Sequence, residues 1–153
     1  MKDFDNFKDS FTDLKNALSK LNEIINFEMD NKEIKRDSTI QRFEFCYELM
    51  WKNLKRILEI EGFNPKSPRE TFEFAYKNDI IKNEDIWLNM IRDRNITTHV
   101  YDQDEIDKIY NNIVKNYYPE MQKCFDILLL KVKNYKKFWR YLWKLKFFCL
   151  FFY

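Results

Sequence analysis

The fold is decided by the stretch Ser38-Thr39-Ile40-Gln41-Arg42-Phe43-Glu44-Phe45-Cys46-Tyr47-Glu48-Leu49-Met50-Trp51-Lys52. Its inward-facing residues recur every three or four positions and continue beyond it, at Ile40, Phe43, Tyr47, Met50, Leu54 and Ile57. That spacing is typical of a helix with one buried face. Ser38 followed by Gln41 predicts a capping box that opens this helix, and Gly62 is well placed to end it. The stretch therefore predicts one long helix of a bundle.

The rest of the chain predicts further helices. Phe4, Phe7 and Phe11 begin an apolar stripe over about residues 5–27, and the polar residues 30–37 are expected to separate this helix from the next. Ser67-Pro68-Arg69-Glu70 predicts a third helix over about residues 68–77, and a fourth begins near Asn83. The pair Asp102 and Glu105 predicts a fifth, which Pro119 is expected to kink rather than end.

Composition agrees with a helical chain, because the 153 residues contain one glycine and three prolines. We expect an all-α fold, an antiparallel four- to five-helix up-and-down bundle over residues 1–130. Residues 131–153 form a basic aromatic extension of unknown role, with seven basic residues and no acidic ones. It lacks an uninterrupted apolar run of 18 residues, so a membrane-spanning helix is not expected. A membrane-surface helix, packing against a partner, or an extension without a selected role remain open for it.

Several functional classes are excluded. One glycine cannot build a Gly-rich phosphate loop. Cys46, Cys124 and Cys149 form no C-x-x-C pair, and one histidine cannot complete the usual zinc patterns, so no metal or cofactor is expected. Free thiols and an N-terminus without a signal-peptide core predict a cytoplasmic protein. Residues 1–130 carry 20 basic and 25 acidic side chains, a net charge of −5, so any RNA contact must be local.

The only histidine, His99, lies five residues after Arg94 and two before Tyr101. Histidine exchanges protons near neutrality, and the planar fork of arginine grips phosphates, so the pair could cleave or hold a phosphodiester. The residues alone leave open an ordinary solvated helix end with a half-buried His99. On a continuous helix Arg94 and His99 would point about 140° apart. The β-branched pair Thr97-Thr98 favours fraying before His99, which would allow a turn to bring them together.

Three blocks, residues 40–52, residues 67–70 and Asp93-Arg94-Asn95-x-x-x-His99-x-Tyr101-Asp102, together resemble the nucleotidyltransferase substrate-binding protein family of the HEPN superfamily. The resemblance covers about residues 5–130. It implies a helical bundle that homodimerises and works beside a minimal nucleotidyltransferase. In many such pairs the HEPN protein is a ribonuclease toxin and the nucleotidyltransferase its antitoxin.

The resemblance also implies residue roles. Arg94, Asn95 and His99 match the family's catalytic arginine, polar residue and histidine, and Tyr101 matches the tyrosine that a partner can adenylylate. Arg42 and Glu48 belong to the family's second-helix block. Together with Asp93 they could support the site, or Arg42 and Glu48 could form a helix-face ion network of little energy.

These residues and the resemblance are compatible with two functions. The first is a metal-independent endoribonuclease toxin acting on RNA, in which His99 moves protons, Arg94 stabilises the phosphate charge and Asn95 orients the reacting groups. One histidine cannot easily be acid and base at once, so a homodimer would supply the second. The second function is a non-catalytic subunit that binds a nucleotide or presents a substrate to the nucleotidyltransferase.

Overall fold

The computed structural model describes the backbone of residues 2–97 and 102–150 and the side chains of residues 9–97 and 102–135. Its helices are α1 Lys2–Asn26, α2 Lys32–Ile60, α3 Pro68–Lys77, α4 Glu84–Thr97, α5 Gln103–Asn112 and α6 Tyr118–Leu150. A five-residue π-helical turn, Ile113–Tyr117, joins α5 to α6, so that the two form one continuous rod. The described backbone contains no strand.

Helix α1 runs antiparallel to α2 and to the α5–α6 rod. Asn53 near the end of α2 donates a hydrogen bond of 3.1 Å to the hydroxyl of Ser10, in the first half of α1. Phe11 of α1 stacks on Phe125 of α6 with 4.8 Å between ring centroids. Ser10 lies in the first half of α1 and Asn53 in the second half of α2, so these two helices are opposed. The rod is opposed to α1 because it runs parallel to α2, as the following contacts show.

Helix α2 and the α5–α6 rod run parallel. Arg36 near the start of α2 pairs with Asp107 of α5 at 3.0 Å. Just beyond the end of α2, Glu61 accepts from Lys131 of α6 at 2.6 Å. Helix α2 and the rod therefore advance by nearly the same number of residues between the two contacts, and they pack directly against each other.

Helix α4 completes the bundle and runs antiparallel to the rod. Asn83, just before α4, contacts Glu120 at 3.2 Å, whereas Asp93 contacts Asn112 at 3.2 Å. The direction is thus reversed relative to α5–α6. The predicted all-α, up-and-down bundle is confirmed, with α1, α2, α4 and the rod as its four members and α3 as a short helix in the α2–α4 connection.

The core lies between these four members. The predicted apolar face of α2 is confirmed, because Phe43, Tyr47, Met50, Leu54 and Ile57 are all buried. Aromatic rings link it to the other helices. The pairs, with the distance between ring centroids, are Phe43 with Tyr117 at 5.4 Å and Phe72 with Trp87 at 5.0 Å.

Most of the predicted helix starts and stops are confirmed. Helix α3 has the predicted bounds, with the Ser67 hydroxyl accepting from the Glu70 amide at 3.2 Å. Asp102 is the N-cap of α5 and accepts from the Asp104 amide at 3.0 Å. Gly62 follows the end of α2 with a φ of +94°, in the left-handed region that favours glycine.

The predicted start of α2 at Ser38 was wrong. The helix begins at Lys32, where the Asn31 side chain caps the Ile34 amide at 3.1 Å, and Ser38 lies inside it. Of the polar stretch 30–37, only residues 30 and 31 lie in the break between α1 and α2, and residues 32–37 are helical. Its residues are good helix formers, but this turn extends past the core, as Ile34 with 54% exposure illustrates, so that no apolar periodicity marks it.

Pro119 does not end the last helix, as predicted, and the irregularity lies just before it. The Tyr118 amide donates to the Ile113 carbonyl, five residues back, in the π-helical turn. Proline lacks the amide hydrogen that an α-helix would direct to residue 115, so a distortion in this turn is physically reasonable. Helix α6 continues through residue 131, where the C-terminal extension was expected to begin, and the division after residue 130 stays a prediction.

Candidate functional site at the end of α4

Arg94 projects from the end of α4 towards α2. Its Nη2 lies 3.2 Å from Oε1 of Glu48, and both side chains are 35% exposed. The Arg94 Nε is buried and has no hydrogen-bond partner among the described residues. A buried donor without an acceptor costs free energy, whereas the side chain as a whole is one-third exposed, so an oxygen ligand can approach it from solvent.

Glu48 is held in place by its own helix. It accepts a hydrogen bond of 3.0 Å from the indole of Trp51, and Lys52 lies 3.7 Å from it. Trp51 itself is half-buried and packs against the core. Glu48 contacts Arg94 directly, and its supporting role at the site stays a prediction.

A second carboxylate, Glu44, lies one turn earlier on α2 and binds the end of α4. The Thr97 hydroxyl lies within hydrogen-bonding distance of Glu44 Oε1 and 2.8 Å from the Arg94 carbonyl oxygen. Glu44 lies within residues 40–52, the block that resembles the family, but no role was predicted for it. The signal was the spacing of four residues between Glu44 and Glu48, which places both on one side of α2.

Asp93 faces the opposite neighbour, the α5–α6 rod, and is buried with 2% exposure. Its Oδ2 accepts from the Tyr117 hydroxyl at 2.5 Å and from the Asn112 amide at 3.2 Å. Arg92 donates to its Oδ1 from Nε at 3.0 Å and from Nη2 at 2.9 Å. Burial and the neighbouring Asp93 carboxylate raise the pKa of Tyr117 above its ordinary value. Asp93 was predicted to support the site, whereas Tyr117 and Asn112 were missed.

The structure brings together only part of the predicted site. Arg94 contacts Glu48, Asn95 is exposed on α4, and Arg42 is exposed on α2 beside a groove that Glu44 and Glu48 also line. His99 and Tyr101 lie outside the described residues. The predicted fraying of α4 before His99, and the turn that would bring His99 to Arg94, lie outside them as well.

The described residues offer neither a metal site nor a reactive thiol. No group of three or more His, Cys, Asp or Glu side chains among them could hold a metal ion. Burial raises the pKa of the Cys46 thiol to about 12 and that of Cys124 well above its ordinary value, so neither is a ready nucleophile. None of the described helices has both the length and the hydropathy that crossing a bilayer requires.

The profile of the family described as nucleotidyltransferase substrate binding protein like matches residues 2–129. This chain belongs to that family. A curated relative, the probable ribonuclease HepT of Haemophilus influenzae, is 35% identical over 83 residues, which are 48% of this chain and 54% of the relative. The chain thus spans about half the length of the curated relative it matches.

Two solved structures show how far the family fold extends. A crystal structure of a protein from Thermus thermophilus has a TM-score of 0.68 at 29% identity and covers 75% of this chain and 98% of that chain. The tri-AMPylated Shewanella oneidensis HEPN toxin, solved in complex with MNT antitoxin, has a TM-score of 0.66 at 18% identity, with coverage of 85% and 99%. The second likeness, at 18% identity, is one of fold.

Proposed function

We propose that this protein is the HEPN-type toxin of a toxin–antitoxin pair and a metal-independent endoribonuclease with Arg94 and His99 as catalytic residues. The observation that carries the proposal is Arg94, which contacts Glu48 and whose buried Nε has no hydrogen-bond partner among the described residues. It stands five residues before the only histidine of the chain. The relative named probable ribonuclease HepT supports the same activity.

The proposed reaction uses the 2′-hydroxyl of the RNA as nucleophile. His99 takes its proton, the 2′-oxygen bonds to the adjacent phosphorus, and the bond from phosphorus to the 5′-oxygen breaks. The leaving oxygen takes a proton from an acid, for which His99 of the second subunit of a homodimer is suited. Arg94 binds the phosphate oxygens as charge grows on them, and Asn95 orients the phosphate or the imidazole.

We further propose a minimal nucleotidyltransferase as antitoxin, with Tyr101 as the residue it modifies. The phenolic oxygen would attack the α-phosphorus of ATP, pyrophosphate would leave, and the phenolic proton would pass to solvent. The attached AMP would add bulk and negative charge two residues from His99, which opposes RNA binding. The Shewanella oneidensis toxin, which is AMPylated and bound to MNT antitoxin, supports this regulation. A toxin of this kind acts in the cytoplasm, where its RNA substrate is.

A second candidate function is a non-catalytic subunit that binds a nucleotide or presents a substrate to the nucleotidyltransferase. The family description, which speaks of substrate binding, favours it. In that case the Arg94 guanidinium would hold a phosphate without cleaving it.

The deciding experiment is cleavage of total RNA, with EDTA present, by the parent protein and by Arg94→Ala and His99→Ala variants. Arg69→Ala serves as the control, since Arg69 is also an ion-paired arginine but lies on α3. Cleavage by the parent and by Arg69→Ala alone is expected. Absence of cleavage by a folded, unmodified parent would instead support the binding subunit.

A further inference from the structure

A groove of about 640 Å³ runs between α4 and the first part of the α5–α6 rod. One wall is α4 and the other is α5 with its π-helical turn. Residues 98–101, which include His99, connect the two walls in the sequence. The side chains that line the groove are Arg92, Asp93, Ile96, Glu105, Lys108, Ile109, Asn111, Asn112 and Lys115.

The groove is basic on a body that is acidic. Its lining carries three positive charges, on Arg92, Lys108 and Lys115, and two negative charges, on Asp93 and Glu105. Of the two acids, Asp93 is buried and fully engaged by hydrogen bonds. Glu105, in the first turn of α5, is thus the one lining carboxylate exposed to solvent. Residues 1–130 together carry a net charge of −5, so this local excess stands out.

Arg92 is prepared to bind an anion. Its side chain is 60% exposed, yet its Nε and Nη2 are fixed on the buried carboxylate of Asp93, which is 3% exposed. An arginine fixed in this way loses little conformational entropy on binding, and its Nη1 can bind a further acceptor. The buried network of Asp93 therefore holds a cation at the wall of the groove.

The opposite wall carries polar groups along one stripe. Lys108, Asn111 and Lys115 follow each other at spacings of three and four residues, and the two lysines are separated by about 10 Å along the helix. Ile96, which is half-buried, provides apolar surface beside the charged groups. Spaced cations beside apolar surface suit a single-stranded nucleic acid, whose phosphates alternate with sugars and bases.

We propose that this groove binds the sugar–phosphate backbone of the RNA strand beside the cleavage site, with Arg92, Lys108 and Lys115 as phosphate ligands. The inference rests on the ribonuclease function proposed above, because it requires the strand to continue past His99. The groove can hold the strand beyond the cleavage site, because the two helices that form its walls are connected in the sequence by the residues around His99. Phosphate contacts of this kind position a strand without reading its sequence.

The test is a binding measurement that does not depend on cleavage. A fluorescently labelled single-stranded RNA of 12 nucleotides is titrated with His99→Ala protein, and with the same protein carrying Lys108→Gln and Lys115→Gln. The control carries Lys66→Gln and Lys77→Gln, which remove the same charge from two exposed lysines outside the groove. Fluorescence anisotropy gives the Kd at several salt concentrations, and circular dichroism confirms that each variant is folded.

Loss of two phosphate contacts should weaken binding at 0.1 M salt by about 25-fold and reduce the slope of log Kd against log salt by about 1.4. The control pair should bind as the parent does. Equal binding by both pairs, or no RNA binding by the His99→Ala protein, would overturn the proposal. So would unchanged RNA binding with lost affinity for the purified nucleotidyltransferase, which would assign the groove to an acidic protein surface.

Cleavage by the parent protein, measured separately, tells the two proposals apart. A parent that cleaves RNA while the groove variant binds normally would retain the ribonuclease function and refute the groove. A parent that does not cleave, with groove-dependent binding, would refute the ribonuclease and retain the groove as an RNA-binding surface.

Discussion

The hydroxyl of Tyr117 donates a hydrogen bond of 2.5 Å to Oδ2 of Asp93, and each residue is only 2% exposed. The contact joins the π-helical turn to α4 one residue before Arg94. It therefore ties the irregular part of the rod to the helix that presents this arginine. Hydrogen bonds to a buried charge are among the stronger ones in proteins, and this one has consequences for stability that can be measured.

Replacing Tyr117 by phenylalanine should lower the free energy of unfolding by about 1.5–3 kcal/mol, because Asp93 loses a donor while remaining buried. The adjacent Tyr118 is the matched control. Its hydroxyl contacts Gln122 at 3.2 Å in a half-buried position, so Tyr118→Phe should cost less than about 1 kcal/mol. Urea denaturation measures both. Equal losses in the two variants would show that the buried contact has no special weight.

Arg94 should matter for activity far more than for stability. Its ion pair with Glu48 is about one-third exposed, so Arg94→Ala should change the free energy of unfolding by about 1 kcal/mol or less. On the proposed mechanism it should reduce RNA cleavage by at least about 100-fold. Glu48→Gln, which keeps the shape but removes the charge, should give an intermediate loss. A large loss of stability in Arg94→Ala would make it a structural residue.

Truncation tests whether residue 130 is the end of the folded domain. Val132 is buried, and Lys131 and Tyr135 each contact Glu61 at 2.6 Å. A chain of residues 1–130 should therefore be less stable than one of residues 1–135 by about 2–4 kcal/mol. Thermal and urea denaturation of the two chains give the difference. Equal stability would place the end of the folded bundle at residue 130.

Stability should decline at alkaline pH. Burial, with a smaller contribution from Glu48 and an opposing one from Arg94, raises the pKa of Tyr47 to about 12. The unfolded tyrosine ionises near pH 10. Between these values the unfolded state releases a proton that the folded state retains, so the stabilisation is complete below about pH 10 and is lost towards pH 12.

At about 1.4 kcal/mol per pKa unit, Tyr47 alone contributes up to about 3 kcal/mol to this loss by pH 12, and about half of that by pH 11. The free energy of unfolding at pH 8 and at pH 11, from urea titrations, measures it. Tyr47→Phe should flatten the decline, whereas Tyr76→Phe, at a tyrosine with 44% exposure, should not. An unchanged decline in Tyr47→Phe would assign the effect to other groups, such as Tyr117 and Cys46, whose pKa values burial also raises.

Local signals in the sequence predicted most of the fold. Ser67 and Pro68 set the start of α3 through contacts within one turn, and the apolar periodicity of α2 identified its buried face from Phe43 to Ile57. The start of α2 was missed because none of residues 32–37 is buried in the core and they carry no apolar periodicity. Asn31 is as good a cap as Ser38, and nothing local distinguishes the two.

The candidate site was predictable only in part. Arg94 and Glu48 were named from the family resemblance, and the structure adds the contact between them. The partners of Asp93 and Thr97 on other elements lie 19 to 53 residues away in the sequence. Pairing of polar side chains over such distances leaves no trace in spacing or composition, because it depends on which helices become neighbours.

The π-helical turn has a consequence for the length of the chain. The buried positions Ile109, Ile113, Tyr117 and Met121 are each four residues apart. In a regular α-helix three such steps would drift by about 120° around the axis, whereas the one surplus residue of the π turn reduces the drift to about 20°. The π-helical turn thus accommodates one extra residue without turning the second half of the rod away from the core. Deleting exposed Asn116 should shorten the rod by one residue and keep both halves facing inward.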